Sequence, residues 1–255
     1  LREPLGEFAL ISKIFTPDQA AAGAAQIKLI LKWYSNPEGV GWLDDIVVRE
    51  TGVVRKLTNV RPVDLSAAAN AGLRDEVAGD GQGGWTDQGP NDMRNLIPGD
   101  INMQGVKLRV IDPAENEGRA CVVLGGEAIP ALAQSTEVTI GQKADAVLLL
   151  HNTAWSGELG TTAAQFRVRY ADGRSEKFAV RTGIEAIDWW TPRNTEGSVV
   201  AYLTSNPEAG AVCLNLFEWR NPRPEVEIER IEARSAGKPA YMLAAMTLAD
   251  GGPIM

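Results

Sequence analysis

Seven of the sixteen aromatic residues in this chain are tryptophan. An indole offers a broad apolar face and a single N–H donor, so each tryptophan either fills a core or lies flat against a ligand. Four tryptophans are candidates for the second role. Trp155 stands in His151-Asn152-Thr153-Ala154-Trp155-Ser156-Gly157, directly after the apolar run Ala146 to Leu150. That position puts it at the rim of the sheet to which the run belongs, with Asn152 beside it as a hydrogen-bonding side chain. Trp189 and Trp190 are adjacent, and in an extended segment neighbouring side chains point to opposite faces, so one should be core and the other outside. Trp219 closes an apolar run at Arg220-Asn221-Pro222, where packing and ligand contact are equally suitable roles.

The charged candidates are less specific. Asp75, Asp80, Asp87 and Asp92 share one glycine-rich stretch and could give a calcium ion its hard oxygen ligands, although their spacing fits no EF-hand and aspartate also forms turns. A structural calcium is the one cofactor this pattern suggests. Asp44-Asp45 and Glu218 invite an acid and base pair of the glycosidase type. Among 33 acidic residues, however, such neighbours carry no specific signal. His151 is the only histidine, which excludes multi-histidine zinc sites and leaves one side chain for any imidazole chemistry. Cys121 and Cys213 permit at most one disulfide, and their Val and Leu neighbours read as buried strand positions.

The elements that must position these side chains are strands. The 255 residues carry a net charge of −8, which argues against phosphate backbones and anionic lipid as partners. No run of about 18 apolar residues is present, so no membrane insertion is expected. Residues 1–20 carry charges throughout and show no apolar leader core. From Val106 onward, short apolar runs alternate with Gly, Pro, Asn and Asp clusters, the pattern of an all-β antiparallel sandwich. Ten strands are expected: 106–111, 120–124, 137–140, 146–151, 165–170, 177–181, 199–203, 211–219, 226–233 and 241–248. Asp172-Gly173 between two alternating segments predicts a hairpin. In 226–233 the apolar positions change parity, from Val226 and Ile228 to Ile231 and Ala233, which predicts a β-bulge at Glu229 and Arg230.

Three divisions follow. Residues 1–60 form a β segment, with strands at 8–15, 26–34 and 42–49, too few to close a sandwich alone. Residues 61–104 are a Gly/Asp-rich linker and loop, in which Trp85 argues for order. Residues 105–250 are the sandwich. Trp33 and Trp42, in the first segment, are expected in its core.

Two stretches carry a resemblance. Phe15-Thr16-Pro17, the strand Ile27 to Tyr34 and Gly41-Trp42-Leu43-Asp44-Asp45-Ile46-Val47-Val48 resemble the last strands of jelly-roll carbohydrate-binding modules. Gly83-Gly84-Trp85-Thr86-Asp87-Gln88-Gly89 with Asn91-Asp92, then Tyr170-Ala171-Asp172-Gly173, Asp188-Trp189-Trp190 and Trp219-Arg220-Asn221-Pro222, resembles the galactose-binding-like sandwiches attached to secreted bacterial polysaccharide-degrading enzymes. The resemblance implies an extracellular or cell-surface, non-catalytic accessory module. Its partners would be a polysaccharide or oligosaccharide and neighbouring domains of a larger protein. Sugar rings present apolar C–H faces that stack on indoles while their hydroxyls bond to amide side chains, which makes Trp155, Trp189, Trp190, Trp219 and Asn152 the expected contacts. A structural or interaction domain of an extracellular or envelope assembly is the alternative, and a glycoside hydrolase the third reading.

Overall fold

The computed structural model describes residues 57–251. The strands expected within 1–56, together with Trp33, Trp42, Asp44, Asp45 and the first resemblance, lie outside the described residues. The described residues form an all-β, antiparallel sandwich without an α-helix. In chain order the strands are β1 (Thr58–Val63), β2 (Gly99–Met103), β3 (Val106–Val110), β4 (Val122–Leu124), β5 (Ser135–Gln142) and β6 (Ala146–Ala154). They continue with β7 (Thr162–Tyr170), β8 (Ser175–Arg181), β9 (Ser198–Thr204), β10 (Val212–Arg220), β11 (Ile228–Ser235) and β12 (Ala240–Asp250).

One sheet runs β1-β12-β6-β10-β9, with β4 also pairing to β12, and the other runs β5-β11-β7-β8. The central strands β6 and β12 are buried along nearly their whole length, as strands covered on both faces must be. Their sequences, AVLLLHNTA and AYMLAAMTLA, are correspondingly continuous instead of alternating. On one face the cover is the four-stranded sheet. Phe166 of β7 meets Tyr241 of β12 at 5.7 Å between ring centroids, and Phe178 of β8 meets Phe217 of β10 at 6.0 Å. The β2–β3 ribbon also packs on the six-stranded sheet, burying Val106, Leu108 and Val110. The Thr247 hydroxyl ties that ribbon down by donating to the Lys107 carbonyl at 2.9 Å.

The four-stranded sheet is wet on its outer side. In β7, Ala164, Phe166, Val168 and Tyr170 are buried while Gln165, Arg167 and Arg169 are not, the alternation expected of a half-buried strand. The Asp172-Gly173 hairpin is present: Gly173 takes φ 83°, and its N–H donates to Tyr170. The parity change in β11 is a bulge. Its register shifts between Ile228 and Arg230 against both neighbours: against β7 Glu229 is the extra residue, against β5 the extra residue lies on β5 between Thr139 and Gln142, and Ile228, Ile231 and Ala233 stay inside.

Residues 64–98 form a packed segment. Trp85, Met93 and Leu96 are buried, and the segment is pinned to the β9–β10 end by Asn206, which donates to Asn91 and to the Asp92 carbonyl. Sequence pattern did not mark β2, because Gly99-Asp100-Ile101-Asn102 reads as a turn; the hairpin with β3 makes it a strand.

Candidate functional site

The end of β6 builds the rim around Trp155. His151 Nε2 bonds the Glu185 carbonyl at 3.0 Å, Asn152 Oδ1 accepts the Ile187 N–H, and the Thr153 hydroxyl donates to the Ile187 carbonyl at 2.9 Å. The backbone adds a parallel bridge between Thr153 and Asp188, and the Trp189 N–H donates to the Thr153 carbonyl. Three consecutive side chains thus staple the 185–189 segment against the sheet end.

Asp188 then joins the two loops. One carboxylate oxygen accepts the Ser156 hydroxyl at 2.9 Å and the Ser156 N–H at 3.3 Å, and the other accepts the Trp190 N–H at 3.1 Å. Trp190 and Ser156, the residue after Trp155, are therefore fixed to a single side chain. Trp155 is 37% and Trp190 46% exposed, and Leu159, in the same loop as Trp155, is 76% exposed. Trp155 adopts φ 53°, in the left-handed region that a bulky side chain enters only under constraint.

Trp189 and Trp190 divide as alternation requires. Trp189 is buried and makes an edge contact with Trp85 at 5.2 Å; Trp190 leans on Trp189 at 6.0 Å and faces outward. Trp189 therefore supports the platform from beneath and does not form its surface. Asn152, expected at the binding surface, is fully buried. Its side-chain amide donates to the Cys213 carbonyl at 2.9 Å while its oxygen holds Ile187, so it is a positioning residue. Trp219 is half-buried and stacked on Phe178 at 5.0 Å. It pairs in register with Val147 at the start of β6, whereas Trp155 follows the strand's end. At about 3.4 Å per residue, the length of β6 separates Trp219 from the rim.

The aspartates knit their own loop. Asp75 accepts the N–H groups of Val77 and Gly89, Asp80 that of Gln82, and Asp87 those of Gly79, Asp80 and Gly81. Asp92 is buried, accepts the Asp75 N–H at 2.7 Å and pairs with Arg94 at 2.8 Å. Among the described residues, no three His, Cys, Asp or Glu side chains converge to hold a metal ion. The cluster expected for calcium is thus not brought together as a ligand set. Close approach explains Gly84, where a Cβ would stand 2.7 Å from the Asp75 Cβ, whereas Gly79 and Gly81 have open space and take positive φ of 77° and 73°.

The other reactive side chains are sealed in. His151 is fully buried, and burial lowers its pKa to about 3. The neighbouring carbonyl can only accept, so the neutral ring carries its proton on Nε2 and accepts the Tyr241 hydroxyl on Nδ1 at 2.9 Å. Cys121 and Cys213 are free thiols, and burial pushes Cys213 up to about 12. Glu218 pairs with Arg220 at 3.2 Å. A concavity of about 340 Å³ lies between Val63, Asp64, Ser66, Arg109 and Asn116. Its polar groups serve one another: Asp64 accepts the Ser66 N–H, and Asn116 donates to the Ser66 carbonyl.

No protein-family model matches the chain, and no curated protein matches it. Among the described residues, no helix is long and apolar enough to cross a membrane.

Proposed function

We propose that this chain is a non-catalytic β-sandwich module of a secreted, polysaccharide-processing protein, and that it binds glycan at the rim formed by Trp155 and Trp190. The observation that carries this reading is the shared Asp188 carboxylate, which fixes Ser156 and Trp190 together and so presents two partly exposed indoles from adjoining loops. Exposed indoles in a rigid frame suit the apolar faces of sugar rings, and little conformational entropy is lost when the frame is preformed. The strained backbone at Trp155 supports the same reading, because such outliers persist where function requires them. The resemblance of the Trp85, Asp172-Gly173 and Asp188-Trp189-Trp190 stretches to galactose-binding-like modules supplies the class of partner and the extracellular or cell-surface location.

Retention of the chain on a panel of soluble and insoluble polysaccharides tests this. At least one should retain it, and Trp155→Ala or Trp190→Ala should abolish retention while leaving the far-ultraviolet circular dichroism unchanged. No retention on any member, with an interface to a neighbouring domain that covers both indoles, would instead establish a structural role.

A further inference from the structure

The outer face of the β7–β8 ribbon carries a charge pattern that the fold does not need. Arg167 and Lys177 stand directly opposite each other across the two strands. Like charges in directly opposed positions destabilise a sheet, and further cations flank the pair. Arg169 lies two residues along the same face and Arg181 ends the partner strand. Arg234 sits opposite Gln165 on the adjoining strand β11. Carboxylate relief is uneven: Glu232 stands opposite Arg167 on β11, pairs with Arg169 and lies 3.6 Å from Arg230, and Glu185 pairs with Arg181. Lys177 and Arg234 form no ion pair with any described residue. This cationic ribbon belongs to a chain of net charge −8.

The ribbon also leads to the rim. Thr162, at the start of β7, pairs with Arg181 at the end of β8, and the Gly160 N–H donates to the Thr182 carbonyl, so the loop bearing Trp155 and Leu159 runs straight into these strands. From Arg181 to Ser175 the ribbon extends for about 20 Å, with outward side chains recurring roughly every 7 Å along a strand and every 5 Å across.

We propose that this face, centred on Arg167 and Lys177, is a docking track for an acidic polysaccharide, whose carboxylate or sulfate groups lie between the opposed cations while its sugar rings reach the Trp155–Trp190 rim. The proposal rests on the glycan reading and adds the class of glycan. A guanidinium recognises planar or tetrahedral oxyanions through paired N–H donors, and a grid of cations suits a regularly repeating anion. A folded protein partner fits less well, because the outward residues Gln165, Arg167, Arg169, Ser175, Lys177 and Ala179 supply no aromatic or large apolar anchor.

The test compares polygalacturonate, dextran sulfate and uncharged dextran, and the polysaccharide retained by the rim, against wild type, Arg167→Gln/Lys177→Gln and Trp155→Ala. At least one acidic polymer should bind more tightly than dextran, weaken about tenfold or more in the double variant, and weaken further as salt rises from about 0.05 to 0.5 M. Trp155→Ala should weaken the same binding. The double variant should keep the wild-type far-ultraviolet circular dichroism, since Arg167 faces Lys177 on one side and Glu232 on the other and the two losses oppose each other. If only an uncharged glycan binds, through Trp155 and indifferently to the double variant, the track is wrong and the rim reading stands. If no glycan of either kind binds, the rim reading itself fails. Equal binding of single-stranded DNA with the same Arg167 and Lys177 dependence would show a generic polyanion surface and overturn the assignment to polysaccharide.

Discussion

Asp188 accepts both the backbone N–H and the hydroxyl of Ser156, at 3.3 and 2.9 Å, and this contact couples the loop of Trp155 to the loop of Trp190. Because the other carboxylate oxygen takes the Trp190 N–H, Asp188→Ala leaves three donors to find new partners. The variant should lose about 1–3 kcal/mol of stability. Glycan affinity should fall about tenfold or more even where the fold persists, as read by calorimetric titration below the melting range. Undiminished affinity would show that the two indoles do not need a common frame.

Trp155 offers a test that separates backbone from side chain. Its φ of 53° is one glycine accepts freely and alanine does not. Trp155→Gly and Trp155→Ala both remove the indole, so both should lose binding. The glycine variant should nonetheless be the more stable of the two, by about 1 kcal/mol in chemical denaturation. The reverse order would mean that the left-handed conformation is not kept once the indole is gone.

Burial of His151 makes stability pH-dependent in a defined direction. Its folded pKa is lowered to about 3, against an ordinary value of 6.5. Between those values the unfolded chain binds a proton that the folded chain does not, so stability falls as pH drops below about 6.5, at up to about 1.4 kcal/mol per pH unit. Asp100 and Asp172, paired with arginines that lower their pKa to about 2, stay ionised throughout the range from pH 4.5 to 6.5. His151→Gln should flatten the slope of the denaturation midpoint across that window, even though its absolute stability is lower. An unchanged slope would place the titrating group elsewhere.

The segment around Trp85 should behave as core. Trp85 is completely buried and packs edge-on against Trp189. Trp85→Ala should cost about 3–5 kcal/mol, and a double-mutant cycle with Trp189 should return a coupling of about 0.5–1.5 kcal/mol. Loss of the coupling would detach this segment from the platform it underlies.

The sheets were readable from local pattern because strand alternation and turn chemistry are local. The hairpin at Asp172-Gly173 and the bulge at Glu229 follow from the parity of a few neighbouring residues, and both are present. Exposure of one member of the Trp189–Trp190 pair follows from the same alternation, but which member could not, since that depends on Trp85, more than a hundred residues earlier in the chain. The role of Asn152 was hidden for the same reason: its partners are Cys213 and Ile187. Asp188 was legible only as part of a motif, because its function comes from two loops that meet in space. The Arg167–Lys177 opposition could have been found by laying the two hairpin arms side by side from the Asp-Gly turn.

The most direct measurement follows the indole N–H resonances of the seven tryptophans while a retained polysaccharide is titrated in. Shifts concentrated at Trp155 and Trp190, with Trp85 and Trp189 unmoved, are expected if the rim is the contact surface. Shifts confined to other tryptophans, with Trp155 and Trp190 silent at saturation, would contradict it.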